Sequence, residues 1–250
     1  MKVLGIIPAR YASTRFPGKP LTMIGGKSMI QRVYNQCLKC EQLTEVAVAT
    51  DDQRIYDHVT GFGGNAFMTS NEHRSGTDRI GEVLQILKSE SPEKQFDVIV
   101  NIQGDEPYIS PEQIERVINC FKDSKAEIAT LIKPISDGRE LFNPNVVKAV
   151  VNRNGNALYF SRQPLPFLRG TEPAEWLNHH EFYKHIGIYA YKRQVLEVIV
   201  HLKASPLEKA ESLEQLRWLE NGFSIITAIT DSETVAIDTP EDLSKLTNIL

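Results

Sequence analysis

The sequence contains little cysteine, and its few cysteines suggest no covalent chemistry. The three are Cys37, Cys40 and Cys120, of which the first two have the C-x-x-C spacing of redox and zinc sites. This pair falls at the end of a helix-periodic segment, and no second cysteine pair or histidine pair lies at a matching distance. We therefore expect the cysteines to pack as small apolar side chains, with a redox or zinc site as the alternative.

The sequence also lacks an excess of positive charge and any long apolar run. Its formal net charge is -4 at pH 7, whereas nucleic acids and anionic membranes bind a net basic surface. The apolar start, Val3 to Ile7, is too short for the core of a signal peptide, and no run approaches membrane-spanning length. We expect a cytoplasmic protein whose partners include neither a nucleic acid nor a membrane.

What the sequence does contain is an alternation of strand and helix patterns. With 250 residues, 41% of them hydrophobic, the chain can bury one large α/β core or two small ones, which excludes a disordered or fibrous protein. Apolar residues at helical spacing predict helices over 30–38, 80–87 and 114–121. Apolar runs at 46–50 and 98–103 are typical of parallel strands covered on both faces. The first half therefore predicts a βαβαβαβ order and a doubly wound sheet.

The pattern changes from about residue 143. The runs at 146–151 and 157–162 predict antiparallel strands, and the proline-rich stretch after them is long enough to be functional or to cover a partner. We interpret this part as an insertion. Because no linker clearly divides the chain, we predict a single domain over 1–250 with a β-rich insertion at about 140–190.

The C-terminal part returns to alternating strands and helices. Residues 185–191 have a strand pattern, and 205–222 predict one capped helix that ends at Gly222. Residues 235–250 predict a strand followed by a helix.

Three cations lie in a short loop after the first predicted strand. This loop contains Arg10, Arg15 and Lys19, with a Pro-Gly turn between the last two. It lacks the glycine patterns of a P-loop and of a dinucleotide fold. Backbone amides together with arginine and lysine can neutralise a polyphosphate, and the turn fixes where the cations lie. We interpret it as a different nucleotide loop, and the alternative is a solvated basic loop.

Two carboxylates near predicted strand ends have no evident structural task. After the fourth strand, a Ser-Pro-Glu-Gln run accounts for a helix start but leaves Asp105 unexplained beside a glycine. Near the C-terminus, a Thr-Pro run accounts for another helix start and leaves Asp238. Ligands of open α/β sheets bind beyond the carboxyl ends of the strands, so this pair is a candidate Mg²⁺ site, although each could be a turn residue. Asp51 and Asp52 are weaker candidates, because an N-cap role accounts for one of them.

Several long motifs, spread over nearly the whole chain, resemble one enzyme family. They are IIPARYASTRFPGKPL, HRSGTDRI, NIQGDEP, NPNVVKAVV, ALYFSR, HIGIYAY, SPLEKAESLEQLR and DTPEDL. With these motifs the sequence resembles the 3-deoxy-manno-octulosonate cytidylyltransferases, the CMP-Kdo synthetases of lipopolysaccharide biosynthesis. The resemblance implies a Rossmann-like nucleotidyltransferase fold, with a mixed, mainly parallel sheet, helices on both faces and a homodimer formed through the inserted segment. It also implies Mg²⁺-dependent coupling of CTP with Kdo and release of pyrophosphate.

The resemblance also implies roles for individual residues. The residues implied to bind CTP are Arg10, Arg15, Lys19, Ser75, Thr77, Gln103 and Asp105. Asp105 and Asp238 match the metal pair, and these two with Arg10, Arg15 and Lys19 form the implied catalytic set. The residues implied to bind the sugar acid are Arg79, Gln103, Arg162, His185, Tyr189, Glu214 and Gln215.

Structural alternatives stand beside several of these roles. Tyr189 could be a core residue on a strand face, His185 a satisfied strand-end histidine, and Glu214 with Gln215 a solvated helix face. The stretch from Gln163 to Glu181 matches no family pattern.

The expected chemistry is an in-line attack that needs positioned cations and a metal more than a covalent nucleophile. We expect Mg²⁺ on Asp105 and Asp238 to lower the pKa of the anomeric hydroxyl that attacks the α-phosphorus. The alternatives are a CMP-sugar synthetase for an 8-amino Kdo analogue or a sialic acid, and a non-catalytic nucleotide-binding module.

Overall fold

The computed structural model describes residues 1–12, 16–73, 75–233 and 236–247. Its strands, in chain order, are β1 (Val3–Ala9), β2 (Met23–Ile24), β3 (Lys27–Ser28), β4 (Glu45–Thr50), β5 (Asn65–Met68), β6 (Val98–Asn101), β7 (Ile128–Pro134), β8 (Lys148–Val151), β9 (Ala157–Ser161), β10 (Tyr183–Lys192) and β11 (Ile225–Ile229). Its α-helices are α1 (Met29–Cys37), α2 (Gln53–Gly61), α3 (Gly76–Glu90), α4 (Pro111–Asn119), α5 (Gly138–Leu141), α6 (Trp176–His179), α7 (Arg193–Ile199), α8 (Pro206–Glu211), α9 (Gln215–Glu220) and α10 (Pro240–Thr247).

The chain divides into two compact units, which we call unit 1 (Met1–Glu115 with Thr234–Leu250) and unit 2 (Arg116–Glu233). In unit 1, four parallel strands pair in the order β6-β1-β4-β5. The register sets Ile6 of β1 beside Ala47 on one side and Asn101 on the other. With α1, α2 and α3 between successive strands along the chain, this arrangement confirms the predicted βαβαβαβ order.

The helices of unit 1 begin at side-chain caps and bury their apolar stripes. Ser28 accepts a hydrogen bond from the N–H of Gln31 (3.2 Å) at the start of α1. Ser75 accepts one from Asp78 (3.1 Å) at the start of α3. A cap of this kind stabilises a helix by about 1 kcal/mol. The buried stripe of α1 consists of Met29, Ile30, Val33, Tyr34 and Cys37, and the helix contacts β1 and β4.

Unit 2 contains the antiparallel pairing that the sequence predicts for the second half. β7 pairs in parallel with β11 and antiparallel with β10, while β8 pairs antiparallel with both β9 and β10. The proline-rich stretch contributes the buried ring of Trp176, which packs with Ile135, Leu141 and Phe182. The predicted α/β class, with a mixed and mainly parallel sheet and helices, is confirmed.

Two local predictions are wrong. The single helix predicted over 205–222 is two helices, α8 and α9, because Ser212 between them has a φ of 54° and a ψ of 48°, outside the right-handed helical region. The strand predicted from residue 235 is absent at the described residues 236–238, which are irregular, and residues 234 and 235 lie outside the described part. The helix after them, α10, is confirmed.

The C-x-x-C pair, predicted to pack as small apolar side chains, lies in the interior of unit 1. Cys37 and Cys40 are free and buried, and burial raises the pKa of both thiols, which fits the predicted packing role. Among the helices of the described ranges, none is both long and apolar enough to cross a bilayer.

Candidate active site

A cavity of about 250 Å³ lies in unit 1, at the carboxyl ends of β1 and β6. It is lined by Pro8, Ala9, Arg10, Lys19, Pro20, His73, Ser75, Gly76, Arg79, Gln103, Gly104, Asp105 and Asp238. Parallel strands bring their carboxyl ends to one edge of a sheet, which is why residues far apart in sequence meet here.

Glycine allows the loop after β6 to approach β1 closely. A Cβ atom at Gly104 would lie 2.8 Å from the carbonyl oxygen of Pro8, a distance that Cβ atoms essentially never show. Any larger residue would push the loop that carries Asp105 away from β1, so glycine at position 104 is a steric requirement.

The loop after β1 returns to the cavity through a fixed turn. Gly18 has a φ of 71°, which favours glycine, and its N–H donates to the carbonyl oxygen of Tyr11 at 3.0 Å. The next three residues, Lys19–Leu21, form a 3-10 turn with a proline at its second position. This backbone holds the Lys19 side chain, which is 14% exposed, toward the cavity.

Three charged side chains that the sequence predicts to be functional form one cluster, which we call the cavity cluster: Lys19, Asp105 and Asp238. The Lys19 Nζ lies 2.9 Å from Asp105 Oδ2 and 3.2 Å from Asp238 Oδ1. The backbones of the two acidic segments are also joined, because the N–H of Ile237 donates to the carbonyl oxygen of Asp105 at 2.9 Å.

Capping explains the neighbours of Asp238 but not its carboxylate. The Thr239 side chain caps α10 by accepting from the Asp242 N–H at 3.3 Å, and Asp242 Oδ2 accepts from the Thr239 N–H at 3.1 Å. Ile237 anchors the segment in an apolar group with Ile24 and Met29. Asp238 therefore projects from a firmly held backbone while its carboxylate contacts Lys19.

The cavity cluster fits a divalent cation. Two carboxylates already converge on one cationic atom, the Lys19 ammonium nitrogen. Within the described ranges, no group of three or more His, Cys, Asp or Glu side chains could hold a metal. Mg²⁺ is commonly bound by one or two carboxylates together with substrate phosphates, so these two residues suit a metal that arrives with a phosphate-bearing substrate.

The other residues implied to bind CTP are distributed as follows. Arg10 is exposed and lines the cavity, as does the half-buried Gln103. Ser75 also lines it, although its hydroxyl oxygen caps α3. Thr77 is buried in the first turn of α3 and is not among the lining residues. Arg15 lies outside the described residues.

Arg79, implied to bind the sugar acid, lines the cavity but is held by protein groups. Its side chain is 4% exposed, and its Nη2 lies 2.9 Å from Asp51 Oδ2. Its Nη1 donates to the Thr69 hydroxyl at 2.5 Å. Asp52 caps α2 through the Arg54 N–H (3.0 Å), so the aspartate pair after β4 divides into one helix cap, as predicted, and one partner for Arg79.

The cavity also contains a titratable residue that no sequence pattern predicts. His73 lines the cavity, and its Nε2 lies 2.5 Å from Glu82 Oε2, which also accepts from the Ser70 N–H at 2.8 Å. Burial acts to raise the pKa of Glu82, but these hydrogen bonds and the neighbouring charges outweigh it, and the pKa is lowered. The only signal was the position of His73 in the HRSGTDRI motif, which does not reveal a partner nine residues away.

The remaining residues implied to bind the sugar belong to unit 2, where two of them meet on β10. The rings of His185 and Tyr189 have centroids 5.2 Å apart, and His185 Nε2 lies 3.0 Å from the Thr130 hydroxyl. Burial lowers the pKa of His185 to about 4. Tyr189 is 8% exposed and its ring packs edge-on against Trp218 (5.1 Å) of α9.

Glu214 and Gln215 stand at the start of α9. Gln215 is 5% exposed, so it does not belong to a solvated helix face. Glu214 Oε1 lies 3.7 Å from Arg217 Nη2.

Arg162 follows β9 and is held by several backbone and carboxylate groups. Its N–H donates to Glu211 Oε2 (2.9 Å), and its Nε and Nη1 donate to the carbonyl oxygens of Glu211 (2.8 Å) and Pro144 (3.1 Å). Its own carbonyl oxygen accepts from the buried Lys148 ammonium at 2.6 Å.

Comparison with known proteins gives one consistent result. A family model described as cytidylyltransferase matches residues 4–229. A 3-deoxy-manno-octulosonate cytidylyltransferase from Parabacteroides distasonis is 57% identical over 98% of this chain and 96% of its own. One from Cytophaga hutchinsonii is 56% identical over 99% and 97%.

Solved structures agree with the sequence relatives. A CMP:2-keto-3-deoxy-manno-octonic acid synthetase complexed with CTP is 43% identical, covers 100% of this chain and 98% of its own, and has a TM-score of 0.90. A 4-diphosphocytidyl-2C-methyl-D-erythritol synthase from Anaerococcus prevotii, 14% identical with a TM-score of 0.61 over 99% and 98%, shares the fold alone.

Proposed function

The chain belongs to the 3-deoxy-manno-octulosonate cytidylyltransferase family, and on that premise we propose that it transfers CMP from CTP to 3-deoxy-D-manno-octulosonate (Kdo), giving CMP-Kdo and pyrophosphate. The observation that carries this proposal is the likeness, at 43% identity over the whole chain, to a synthetase complexed with CTP.

The cavity of unit 1 is the proposed site of CTP. Arg10 and Lys19 are two of the described cations that line it, and we assign them to the triphosphate, where they neutralise the charge that moves onto the leaving pyrophosphate. The N-terminus of α3, at Ser75 and Gly76, also lines the cavity and adds its partial positive charge. Arg15 has the same proposed role from its place in the motif, and the side chains of Ser75, Thr77 and Gln103 are assigned to the cytidine side.

Asp105 and Asp238 are the residues that would hold Mg²⁺. When bound, the metal would neutralise phosphate charge and lower the pKa of the attacking sugar hydroxyl. The chain itself holds the two carboxylates at one point through the Ile237–Asp105 backbone hydrogen bond. Lys19 contacts both carboxylates and lines the cavity, so we assign it to a phosphate oxygen once the metal takes its place between them.

We assign the sugar acid to Arg79, Gln103, Arg162, His185, Tyr189, Glu214 and Gln215. Within unit 2, the contacts of His185 and Tyr189 support a preformed polar group on β10. A neutral His185, as its lowered pKa implies at pH 7, can donate or accept a hydrogen bond to a sugar hydroxyl.

We propose further that the product serves lipopolysaccharide biosynthesis in the cytoplasm and that the chain forms a homodimer. In unit 2, Phe142 and Phe167 are 45% and 72% exposed, and the centroids of both rings lie within 6 Å of that of the buried Trp176. Large exposed aromatic side chains in one group suit an interface. Sedimentation equilibrium of the purified protein measures the assembly directly, and a monomer at all concentrations would contradict it.

A pyrophosphate-release assay with CTP, Mg²⁺ and Kdo tests the proposed function. We expect turnover to need all three, and CTP to exceed ATP and GTP by several orders of magnitude, because a pocket built for one base leaves polar groups unpaired against another. Parallel reactions with 8-amino Kdo and a sialic acid test the sugar. Faster turnover of either analogue, or equal turnover of ATP, would overturn the assignment.

A further inference from the structure

Tyr11, which is outside the set of residues assigned above, packs against both a glycine and an arginine. The guanidinium carbon of Arg54 lies 3.4 Å from the centroid of the Tyr11 ring. A Cβ atom at Gly18 would lie 3.1 Å from the nearest Tyr11 ring atom, so the ring packs closely on the Gly18 backbone. The Gly18 N–H donates to the Tyr11 carbonyl oxygen at 3.0 Å, which closes the loop between them.

Arg54 is held over the Tyr11 ring by a two-point ion pair with Asp52. The Arg54 Nε lies 2.9 Å from Asp52 Oδ1, and its Nη2 lies 2.6 Å from Asp52 Oδ2. The Asp52 N–H in turn donates to the hydroxyl of Thr50, the last residue of β4, at 3.2 Å. Although the Arg54 side chain is 59% exposed, it is thus connected to the sheet by two contacts, from Arg54 to Asp52 and from Asp52 to Thr50.

Tyr11 and Gly18 are each next in sequence to a cation that faces the cavity. Arg10 immediately precedes Tyr11, and Lys19 immediately follows Gly18. Both cations line the cavity, whereas Arg54 and Tyr11 are not among its lining residues. An interaction that holds the Tyr11 ring on Gly18 therefore also fixes the spacing of Arg10 and Lys19.

We propose that Arg54, fixed by Asp52, is a positioning residue that clamps Tyr11 onto Gly18 and so holds Arg10 and Lys19 ready for a triphosphate. The identity of the ligand, CTP, rests on the proposed function, whereas the clamp of Arg54 on Tyr11 does not. The alternatives are that Arg54 acts only as a nearby positive charge, or that it only stabilises the helix to which it belongs.

The chain supplies a matched control for the Arg54–Asp52 ion pair. Arg139 forms the same arrangement with the aspartate two residues before it, with Nη2 2.7 Å from Asp137 Oδ2, and Asp137 likewise caps a helix. Arg139 is 92% exposed and lies in unit 2. Arg139→Ala therefore removes an equivalent side-chain ion pair at a helix start without removing the clamp.

The test compares Arg54→Ala, Arg54→Lys, Tyr11→Ala, the Arg54→Ala/Tyr11→Ala double variant and Arg139→Ala. Steady-state kinetics give KM for CTP and for Kdo, thermal unfolding gives Tm, and NMR gives hydrogen exchange at the Gly18 amide. We expect Arg54→Ala to raise KM for CTP about two- to fivefold, the range of an exposed cation-π contact, with KM for Kdo and Tm unchanged. Gly18 exchange should accelerate by a similar factor. Arg139→Ala should change none of these.

Three results would overturn the clamp. Arg54→Lys keeps the charge but not the planar fork, so full restoration of KM by lysine would favour simple electrostatics. Additive effects of Arg54→Ala and Tyr11→Ala would show that the two residues act separately, since a clamp predicts that the arginine adds little once the ring is gone. Unchanged Gly18 exchange in Arg54→Ala would also exclude it. If the wild-type protein fails to use CTP and Kdo, the proposed function fails, while Gly18 exchange still decides the clamp.

Discussion

The two units of the chain each contain a lysine that bridges two carboxylates, and their surroundings differ. In the cavity cluster of unit 1, Lys19 lies 2.9 and 3.2 Å from its partners and is 14% exposed. In unit 2, Lys184 lies 2.6 Å from Glu140 and 2.7 Å from Glu233, and is 5% exposed. We call the second group the buried cluster.

The difference lies in what each cluster connects. The lysine of the buried cluster stands on β10, and its partners stand on α5 and after β11, so the cluster ties three elements together. Glu233 also lies 3.3 Å from Lys133 of β7. The cavity cluster instead lines an open space, and backbone hydrogen bonds already hold its segments. An identical charge pattern therefore serves folding in one unit and, by our proposal, a ligand in the other.

The largest expected effect is loss of catalysis when the acidic pair of the cavity cluster is neutralised. We expect Asp105→Asn and Asp238→Asn each to lower kcat by roughly two orders of magnitude or more, because lost charge stabilisation at a metal and phosphate site has this size. The double variant should lose little more than either single one, since residues that act as one unit are strongly non-additive. Tm should hardly change.

Steady-state kinetics and thermal unfolding of the three variants check this prediction. If the two carboxylates were independent turn residues, the variants would retain kcat and show small, additive losses of Tm. That result would remove the difference between the two clusters.

The next largest effect is expected in the buried cluster, with the opposite signature. Lys184→Met leaves the carboxylates of Glu140 and Glu233 without their shared partner, and we expect a loss of about 1–3 kcal/mol in the free energy of unfolding, below the value for fully buried pairs because both carboxylates are partly exposed. Urea unfolding measures the loss. kcat per folded molecule should stay near that of the wild type, and a large fall in kcat without destabilisation would contradict the folding role.

The lowered pKa of His185 predicts an acid-sensitive stability in unit 2. The folded protein holds this histidine neutral with a pKa of about 4, whereas an unfolded histidine titrates near 6.5. The unfolded state therefore binds more protons between these values, and acidification from pH 7 to pH 5 should cost about 1–2 kcal/mol through this group. Above pH 7 the contribution should be constant.

A matched variant isolates this contribution from the many carboxylates that titrate in the same range. His185→Gln cannot titrate, so its unfolding free energy should fall less than that of the wild type between pH 7 and pH 5. Equal falls in the two proteins would show that the histidine is accessible to protons in the folded state.

The smallest effect is expected at an ordinary helix-surface ion pair. Arg193 and Glu197 of α7 form an i,i+4 pair with Nε and Oε1 3.0 Å apart. Arg193→Ala should cost only about 0.3–0.5 kcal/mol by urea unfolding and leave kcat unchanged. If Arg193→Ala lowered the free energy of unfolding as much as Lys184→Met, burial would not explain why the Lys184 ion pairs are stronger than the Arg193–Glu197 pair.

The fold of unit 1 could be predicted because its signals are local. Apolar stripes at helical spacing and continuous apolar runs need only neighbouring residues. The division of 205–222 into two helices could not be predicted, because the residues of this segment favour a helix throughout. The division instead accompanies a contact between the two helices: Arg217 Nε lies 2.8 Å from Glu208 Oε2, whereas residues nine apart would face away from each other on one straight helix.

The candidate site shows the same limit. Capping accounted for the neighbours of Asp105 and Asp238, so their carboxylates stood out in the sequence. Their meeting with Lys19 joins residues 86 and 219 positions apart and follows only from the parallel sheet. The Asp51–Arg79 and His73–Glu82 pairs likewise depend on where strands and helices pack, which spacing does not encode.

The binding of Mn²⁺, as a paramagnetic substitute for Mg²⁺, tests most directly whether Asp105 and Asp238 hold a metal together with CTP. Water-proton relaxation can be measured with Mn²⁺ and CTP, with and without the wild-type protein, and with the Asp105→Asn/Asp238→Asn variant. We predict that wild-type protein enhances relaxation strongly above Mn²⁺ and CTP alone, and that the double variant loses most of this enhancement while it still binds CTP. Equal enhancement by the double variant and the wild type would contradict the account, because the metal would then be held by the nucleotide without the two carboxylates.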